Sequence, residues 1–292
     1  MIAESSENIP LGAAYALGAF FCLAAMSAFA KAASGYAPTI VIVFFQNLIC
    51  LAIVAPVTLR HGFRPLRTQR ILLHLLRAAT GTAAWFGLFL AITLIPLSNA
   101  VLLTYSAPLW MPLIGWIVTR ETISVKLWVG VIVGFSGVFL VLNPSSGEFG
   151  IGALFAIGAA ILLALALMSV RWLEATEPVP RILFYYFLFS TVMVLPFAVP
   201  SWKPIEGLGW LYLVAIGICL LGSQVLIALA YQQATAVKLG PLIYSVILFT
   251  ALINWLIWAQ PLTMLELAGM ALIIVGGVAT MTQSHRSAER PR

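Results

Sequence analysis

LTYSAPLWMPLIGW, residues 103–116, returns 139 positions later as LIYSVILFTALINW, residues 242–255. The match continues at the same offset, where Gly137 falls on Gly276. Each copy consists of two apolar runs joined by a short polar corner. Self-similarity at a fixed offset is the signature of a chain built from repeated structural units. We therefore predict that the protein contains two structural repeats.

The composition of the 292 residues is that of a membrane protein. Hydrophobic residues make up 62% of the chain and charged residues only 8%, which leaves too few charges to cover a soluble surface. Each apolar run is close to the ~20 residues that a helix needs to cross about 30 Å of hydrocarbon. The runs, which we number as spans one to ten, are residues 11–33, 38–59, 71–94, 98–118, 125–142, 151–172, 182–199, 208–230, 240–258 and 264–281.

The duplication extends to the earlier spans at an offset of 140 residues. Gly12 matches Gly152 and Pro56 matches Pro196, so the repeated unit is five spans long. Because five is odd, the second copy must enter the membrane with the opposite polarity, which gives an inverted repeat. The predicted fold class is an all-α integral membrane protein with ten transmembrane helices in two inverted five-helix repeats.

The basic residues predict the orientation of the chain. With a cytoplasmic N-terminus, the outer corners hold only Lys31 and Lys203. The cytoplasmic side then holds Arg60, Arg64, Arg67, Arg70, Arg120, Lys126, Arg171, Arg181, Lys238, Arg286, Arg290 and Arg292. We predict a multi-pass protein of the cell inner (plasma) membrane with both termini in the cytoplasm. The net charge of +6 indicates affinity for an anionic cytoplasmic lipid leaflet and gives no support for a nucleic-acid partner.

The predicted division of the chain follows from these spans. Residues 1–10 form a cytoplasmic N-terminus, residues 11–142 the first five-helix repeat and residues 143–150 an extracytoplasmic linker. Residues 151–281 form the second five-helix repeat, and residues 282–292 a basic cytoplasmic tail.

These features resemble the drug/metabolite transporter superfamily, in the branch of ten-helix metabolite exporters. The resemblance covers nearly the whole chain and rests on the two repeats, the Gly-Ala pairs that open spans one and six, and the block from Trp116 to Gly137 with Glu121 at its corner. Within this branch the chain is most similar to aromatic amino-acid exporters. Gln260 replaces the corner acid in the second repeat, so we expect no charge-based role there. The resemblance implies a central cavity lined by spans one, three, four, six, eight and nine, with spans five and ten behind it.

Span three presents two different faces. Small residues recur every fourth position at Ala79, Ala83, Gly87 and Ala91, a pattern that allows close contact with a neighbouring helix. The other face carries polar and aromatic groups at Thr82, Trp85, Phe89 and Thr93. This second face either lines a lumen or, for Trp85 and Phe89, packs against protein or lipid.

Span four is predicted to be broken. Pro108 and Pro112 have no N–H and clash with the preceding turn, which leaves the carbonyls of Thr104 and Pro108 without helical partners. Such backbone must be buried in protein or line a wet cavity, unless the break serves packing alone. Span nine keeps the Tyr-Ser pair as Tyr244 and Ser245 but has no internal proline, so we expect the two halves not to move identically.

The predicted substrate site combines uncharged polar groups, aromatic rings and the carbonyls at this break. Its members are Thr82, Trp85, Thr104, Tyr105, Pro108, Gln224, Tyr244 and Ser245. Carbonyls would accept hydrogen bonds from an ammonium group, and aromatic faces favour apolar side chains and cations. Amino-acid-like solutes are therefore plausible substrates.

The ionisable residues limit the mechanism. The sequence has no aspartate, and its glutamates fall near corners or helix ends, so no acidic proton relay is predicted across the membrane. Arg77 is the deepest cation; it either snorkels to the cytoplasmic interface or attracts a substrate carboxylate. The histidines and cysteines form neither a catalytic set nor a metal site, and we predict no catalytic residue, no metal and no cofactor.

We predict a transporter, not an enzyme, that exports small amphipathic metabolites by alternating access. Amino acids with aromatic or other apolar side chains are its predicted substrates. The alternatives are a multidrug exporter of lipophilic compounds, which would be expected to use a buried carboxylate, and a non-transporting membrane scaffold or receptor. The Gly-x-x-x-Gly pair Gly130 and Gly134 fits packing within one chain as well as dimerisation, so the protein is a monomer or a weak homodimer.

The orientation can be tested by cysteine labelling in intact cells. We expect a membrane-impermeant thiol reagent to modify Lys203→Cys and to leave Arg64→Cys unmodified, because the first lies outside and the second in the cytoplasm. Permeabilised cells supply the control, in which both sites should react. The reverse pattern in intact cells would rule out the predicted topology.

Overall fold

The computed structural model describes residues 8–60, 66–119, 125–142, 150–234 and 236–288, which form helices and the turns between them. The helices are α1 (Ile9–Ala33), α2 (Thr39–Leu59), α3 (Ile71–Leu94), α4 (Leu97–Thr104), α5 (Ala107–Thr119), α6 (Val125–Leu142), α7 (Ile151–Glu174), α8 (Val179–Ala198), α9 (Leu208–Gln233), α10 (Ala236–Leu239), a 3₁₀ helix (Gly240–Tyr244), α11 (Ser245–Trp258) and α12 (Met264–Ala288). The predicted corner at Glu121, the acid Glu148 and all but the last residue of the predicted linker lie outside the described residues.

The ten predicted spans are confirmed as helices. Eight helical segments of the described chain are long and apolar enough to cross a membrane, with α4 and α5 together forming one of them. The segments Leu127–Val141 and Met264–Ala279, which belong to spans five and ten, are shorter apolar helices. Spans four and nine each contain an interruption, whereas the other spans are single helices.

Local sequence sets several helix starts. Pro38 and Pro178 immediately precede α2 and α8, where an extended backbone ends the corner and the helix begins. The α12 start is a capping box, in which Thr263 and Glu266 satisfy each other's backbone N–H groups. At the other end of α11, Ala259 closes the helix in the left-handed conformation with φ of 52°.

The crossing of α6 and α12 shows the inversion directly. A Cβ atom at Gly276 would collide with the backbone of Gly134, and one at Gly137 would lie 2.6 Å from the carbonyl oxygen of Gly269. As the chain advances along α6 its contacts move back along α12, so the two helices are antiparallel. The glycines of the Gly-x-x-x-Gly pair therefore serve close helix packing inside the monomer.

The other extensive helix contacts follow the same two-fold relation. α1 packs along α9 in the way that α7, its repeat mate, packs along α3. The paired glycines agree: Gly12 packs beside Ala234 at the end of α9, and Gly152 beside Ile95 at the end of α3. α2 packs on its own mate α8, and span four contacts its mate, span nine, through α4 and α11, so these two pairs of spans lie at the pseudo-two-fold axis.

The predicted contact face of small residues on span three is confirmed for two of its four members. Gly87 and Ala91 are buried, and a Cβ at Gly87 would lie 3.2 Å from the Cβ of Ala159 on α7. Ala79 and Ala83 are exposed instead. A stripe with four-residue spacing drifts around a helix that has 3.6 residues per turn, so the stripe leaves the contact after two residues.

The interruption of span four is confirmed, and span nine has one as well. α4 ends at Thr104, and α5 begins at Ala107 after a turn at Tyr105 and Ser106. In the second repeat the matching Tyr244 ends a 3₁₀ helix that begins at Gly240. The sequence did not predict this second break, because its glycine and proline lie at the start of the span and not inside it.

The α6–α12 crossing leads to a stability prediction. Gly276→Ala should push the two backbones apart and lower the free energy of unfolding by about 1–3 kcal/mol, since no flexible side chain is present to yield. Thermal unfolding of purified protein measures the effect.

Gly158→Ala is the matched control, because a Cβ at Gly158 meets nothing within 4 Å. This variant should be unchanged or more stable by up to about 1 kcal/mol, since alanine has the higher helix propensity. Equal unfolding temperatures for the two variants would contradict the glycine contact.

Candidate functional site

The interior contact between α3 and α8 joins the two repeats through polar and aromatic side chains. The Arg77 guanidinium lies over the ring of Tyr186, with its carbon 4.3 Å from the ring centroid. Gly81 makes room for both groups, because a Cβ there would collide with the guanidinium and lie 2.8 Å from the Tyr186 ring. Arg77 therefore turns into the protein and not towards the membrane surface.

The same face of α3 continues with two of the predicted site residues. The Thr82 hydroxyl donates to the Ser190 hydroxyl of α8 at 2.6 Å, so this group is already paired. Trp85 is partly buried and lies beside the Tyr186 hydroxyl, which nonetheless has no hydrogen-bond partner. The next turn adds Phe89, whose ring centroid is 6.1 Å from that of Trp85.

Two polar residues of α2 were missed by sequence reasoning. Gln46 and Asn47 are both 0% exposed. Both polar atoms of the Gln46 amide lack partners, and the Asn47 amide donates to the Val43 carbonyl while its own oxygen is unpaired. The cavity implied by the family resemblance does not include span two. The signal was present, however, because Gln46 falls on Tyr186 at the 140-residue offset and interrupts an apolar run.

The predicted residues at the first break are buried. Thr104 is 1% exposed, and its hydroxyl donates to the Ala156 carbonyl of α7 at 3.4 Å. Tyr105 and Pro108 are buried beside it, and the Ser106 hydroxyl donates to the Leu103 carbonyl at 2.6 Å. These contacts place the break against α7, within the protein, as expected for backbone that lacks helical partners.

The predicted residues of the second repeat differ in their burial and contacts. Tyr244 is 2% exposed, and its hydroxyl lies against Gly277 of α12, where a Cβ would overlap it. Ser245 is partly buried with an unpaired hydroxyl, and Gln224 is partly buried on α9. The structure thus groups Thr82 with Trp85 at α8 but does not gather all eight predicted residues on one surface, and the predicted site stays a prediction.

One polar cluster joins the repeats at the end of the molecule that is predicted to be outside; we name it the outer cluster. Its members are Lys31, Ser98, Asn254, Trp258 and Gln260. The Lys31 ammonium donates to the Asn254 and Gln260 side-chain oxygens at 3.4 and 3.5 Å and lies 4.5 Å from the Trp258 ring centroid. Asn254 in turn donates to the Ser98 hydroxyl. Within the described ranges, Lys31 is therefore held by two amides and a ring.

A second cluster, the inner cluster, ties the loop before α3 to the corner between α7 and α8. The Thr68 hydroxyl donates to Glu177 at 2.6 Å, and Arg181 forms an ion pair with the same carboxylate. The Tyr185 hydroxyl donates to the Leu66 carbonyl at 2.7 Å. Burial opposes ionisation of Glu177, but the bonds from Thr68 and Arg181 outweigh it and lower its pKa. The contact is therefore intact at neutral pH and is lost only as the pH falls through that depressed pKa.

The acids of the described chain lie away from the membrane centre. Glu174 ends α7, Glu177 and Glu206 lie in corners, and Glu266 caps α12. Within the described ranges, no three His, Cys, Asp or Glu side chains are grouped as a metal site would require. The described interior is therefore polar through amides, hydroxyls, Arg77 and the buried imidazole of His74.

Sequence comparison finds relatives across the whole chain. A riboflavin transporter of Vibrio cholerae is 29% identical over 96% of this chain and 95% of its own length. A pseudopaline exporter of Pseudomonas aeruginosa is 28% identical over 92% and 95%. An S-adenosylmethionine uptake transporter of Rickettsia felis is 26% identical over 80% and 79%. All three carry small molecules, and their names include both an exporter and an uptake transporter.

Structure comparison and the family model agree with this relationship. A chain in a solved crystal structure superposes with a TM-score of 0.66 at 23% identity, covering 96% of this chain and 99% of its own, which shows a common fold. The model of the EamA-like transporter family matches residues 10–143 and again residues 150–282, one match for each repeat. The protein therefore belongs to the EamA-like transporter family, within the drug/metabolite transporter superfamily.

Proposed function

We propose that this transporter moves small amphipathic metabolites across the inner membrane by alternating access, in the export direction. Amino acids with aromatic or other apolar side chains are the proposed substrates. The observation that carries the proposal is the cross-repeat pairing, in which α1 with α9 and α7 with α3 form equivalent contacts on either side of a pseudo-two-fold axis. Two halves related in this way can exchange conformations and so open the interior to either side in turn.

The chemistry of the interior supports a metabolite more than a lipophilic drug. Hydroxyls and amides surround the axis, including Ser190, Gln46 and Asn47. The three relatives named above are a riboflavin transporter, a pseudopaline exporter and an S-adenosylmethionine uptake transporter, and S-adenosylmethionine is a polar derivative of the amino acid methionine. A carrier of lipophilic cations would be expected to place a carboxylate in the interior. The described glutamates lie at helix ends and corners instead.

The proposed substrate site lies on the α3 face at Thr82 and Trp85. We propose that the remaining predicted members, Thr104, Tyr105, Pro108, Gln224, Tyr244 and Ser245, border it when the halves rearrange. Both helix interruptions lie at the same repeat position, after Thr104 and before Ser245. Bending there would move the adjoining tyrosines, so their present contacts describe one state of the cycle.

Flux into proteoliposomes that contain only this protein tests the proposed function. We expect labelled phenylalanine to equilibrate with and without an imposed pH gradient, because no embedded carboxylate is available in the described interior to couple protons. Flux is measured in both directions against protein-free liposomes. A protein that carries no labelled phenylalanine, and none of the riboflavin tested in parallel, would contradict the proposal.

Site variants in the same assay locate the pathway. Trp85→Ala should weaken apparent affinity about tenfold, since one aromatic contact contributes about 1–2 kcal/mol. Val133→Ala, on α6 and so behind the predicted cavity, is the control and should leave affinity unchanged. If well-folded Trp85→Ala has the same apparent affinity as the wild-type protein, the pathway lies on another face.

Alternating access also requires that the two clusters open in turn. Asn254→Ala removes the amide that links Lys31 to Ser98 and so loosens closure of the outer side. Each lost hydrogen bond is worth about 1 kcal/mol, which shifts a two-state population about fivefold. We expect tighter apparent binding of substrate added outside and weaker binding of substrate added inside, measured in oriented membrane vesicles.

Thr68→Val removes the hydrogen bond to Glu177 in the inner cluster. It should weaken the apparent binding of substrate added outside and tighten that of substrate added inside. Thr93→Val is the matched control, because the Thr93 hydroxyl is exposed and bonds only within its own helix, to Leu90. A shift in the same direction for Asn254→Ala and Thr68→Val would show that the clusters do not close opposite sides.

A further inference from the structure

Arg77 adopts an orientation that a membrane-embedded arginine normally avoids. Helical side chains lean towards the helix N-terminus, which for α3 is also the nearer membrane surface, so a snorkelling arginine would extend back towards Ile71. The Arg77 guanidinium instead lies beside Gly81, one turn further along α3. The side chain therefore carries its charge away from the interface.

This orientation places a cation near the middle of the membrane. Gly81 lies ten residues after the first residue of α3, which at 1.5 Å per residue is about 15 Å along a helix that crosses about 30 Å of hydrocarbon. The helix has 24 residues, so Gly81 is close to its centre. An ionised side chain at this depth loses its hydration, which is costly. Ionisable residues in the middle of a membrane therefore usually have a function.

Among the described residues, no acid neutralises the charge of Arg77. No ion pair involves Arg77 in the described part of the chain, and its buried Nε has no hydrogen-bond partner. The guanidinium lies over the ring of Tyr186, whose hydroxyl also has no hydrogen-bond partner. The guanidinium and the hydroxyl are two donors that both lie beside Gly81, and one of them is permanently charged. An acceptor with negative charge would complement this pair.

We infer that Arg77 and the Tyr186 hydroxyl bind an oxyanion of the transported solute, a carboxylate or a phosphate, beside Gly81 and Trp85. This inference rests on the proposed transport function and names the charge of its substrate. The planar guanidinium donates two parallel hydrogen bonds to such a group. Trp85 lies next to the Tyr186 hydroxyl and offers its ring to an apolar part of the same molecule.

Binding to purified protein in detergent tests this inference separately from transport. Equilibrium dialysis compares labelled 3-phenylpropionate with 3-phenylpropanamide, which has the same shape but no charge, and with phenyl phosphate. We expect wild-type protein to prefer at least one anion over the amide by about tenfold or more. Preference for the carboxylate or for the phosphate identifies the oxyanion. Wild-type protein that binds neither anion more tightly than the amide would overturn the inference without any variant.

Substitutions then assign the preference to the site. Arg77→Gln should reduce the ratio of anion to amide affinity to about one, whereas Arg70→Gln should keep the wild-type ratio. Arg70 is exposed just before the same helix, so this control removes the same charge from the surface. Gly81→Ala keeps the charge but occupies the space of the guanidinium, and it should also lower the ratio.

The outcomes separate the inference from the proposed function. If Arg77→Gln does not fold, the ratio of anion to amide affinity in the wild-type protein and in Gly81→Ala still tests the oxyanion site. A folded Arg77→Gln with an unchanged ratio would overturn the oxyanion site even if phenylalanine flux is normal. A ratio of anion to amide affinity close to one in Arg77→Gln and a lowered ratio in Gly81→Ala would support the site even if phenylalanine is not the solute that is carried.

Discussion

A five-helix unit that occurs twice in one membrane protein cannot insert twice with the same polarity, and this constraint organises the structure. Under this constraint, each contact between the halves is either present twice, in two symmetry-related copies, or lies on the axis itself. The most extensive contacts follow that rule: α1 with α9 is repeated by α7 with α3, while α2 with α8 and α6 with α12 pair across the axis. At the α6–α12 crossing only glycine allows the required approach, as Gly134 and Gly276 show.

The sequence predicted the fold more completely than the site. Length and hydropathy locate a membrane span well, because a helix that satisfies its own backbone is one of the few ways to cross hydrocarbon. Proline made the break after Thr104 predictable. The second break depends on Gly240 and Pro241, which sit at the edge of an apolar run where their effect on the helix cannot be read from hydropathy.

The site depends on which side chains meet across the two repeats, and that information is not local. Arg77 would normally be expected to snorkel, but the space at Gly81 and the Tyr186 ring hold it inward, and Tyr186 lies more than a hundred positions away. Gln46 was overlooked for the same reason, since only the assembled bundle shows that its amide is enclosed without a partner. A buried amide without partners is costly in hydrocarbon. Such groups are therefore better guides to a binding surface than polarity along the sequence.

The two interruptions occupy equivalent positions but are built from different residues. The first is a turn between α4 and α5 with Pro108 just beyond it, and the second is a 3₁₀ helix that starts with Gly240 and Pro241. Exact symmetry would give the inward-facing and outward-facing states equal free energies, but unequal hinges remove that equality. The substrate-free carrier then favours one of the two states, and the side of the membrane from which it first binds solute is set by the stiffness of two short pieces of backbone.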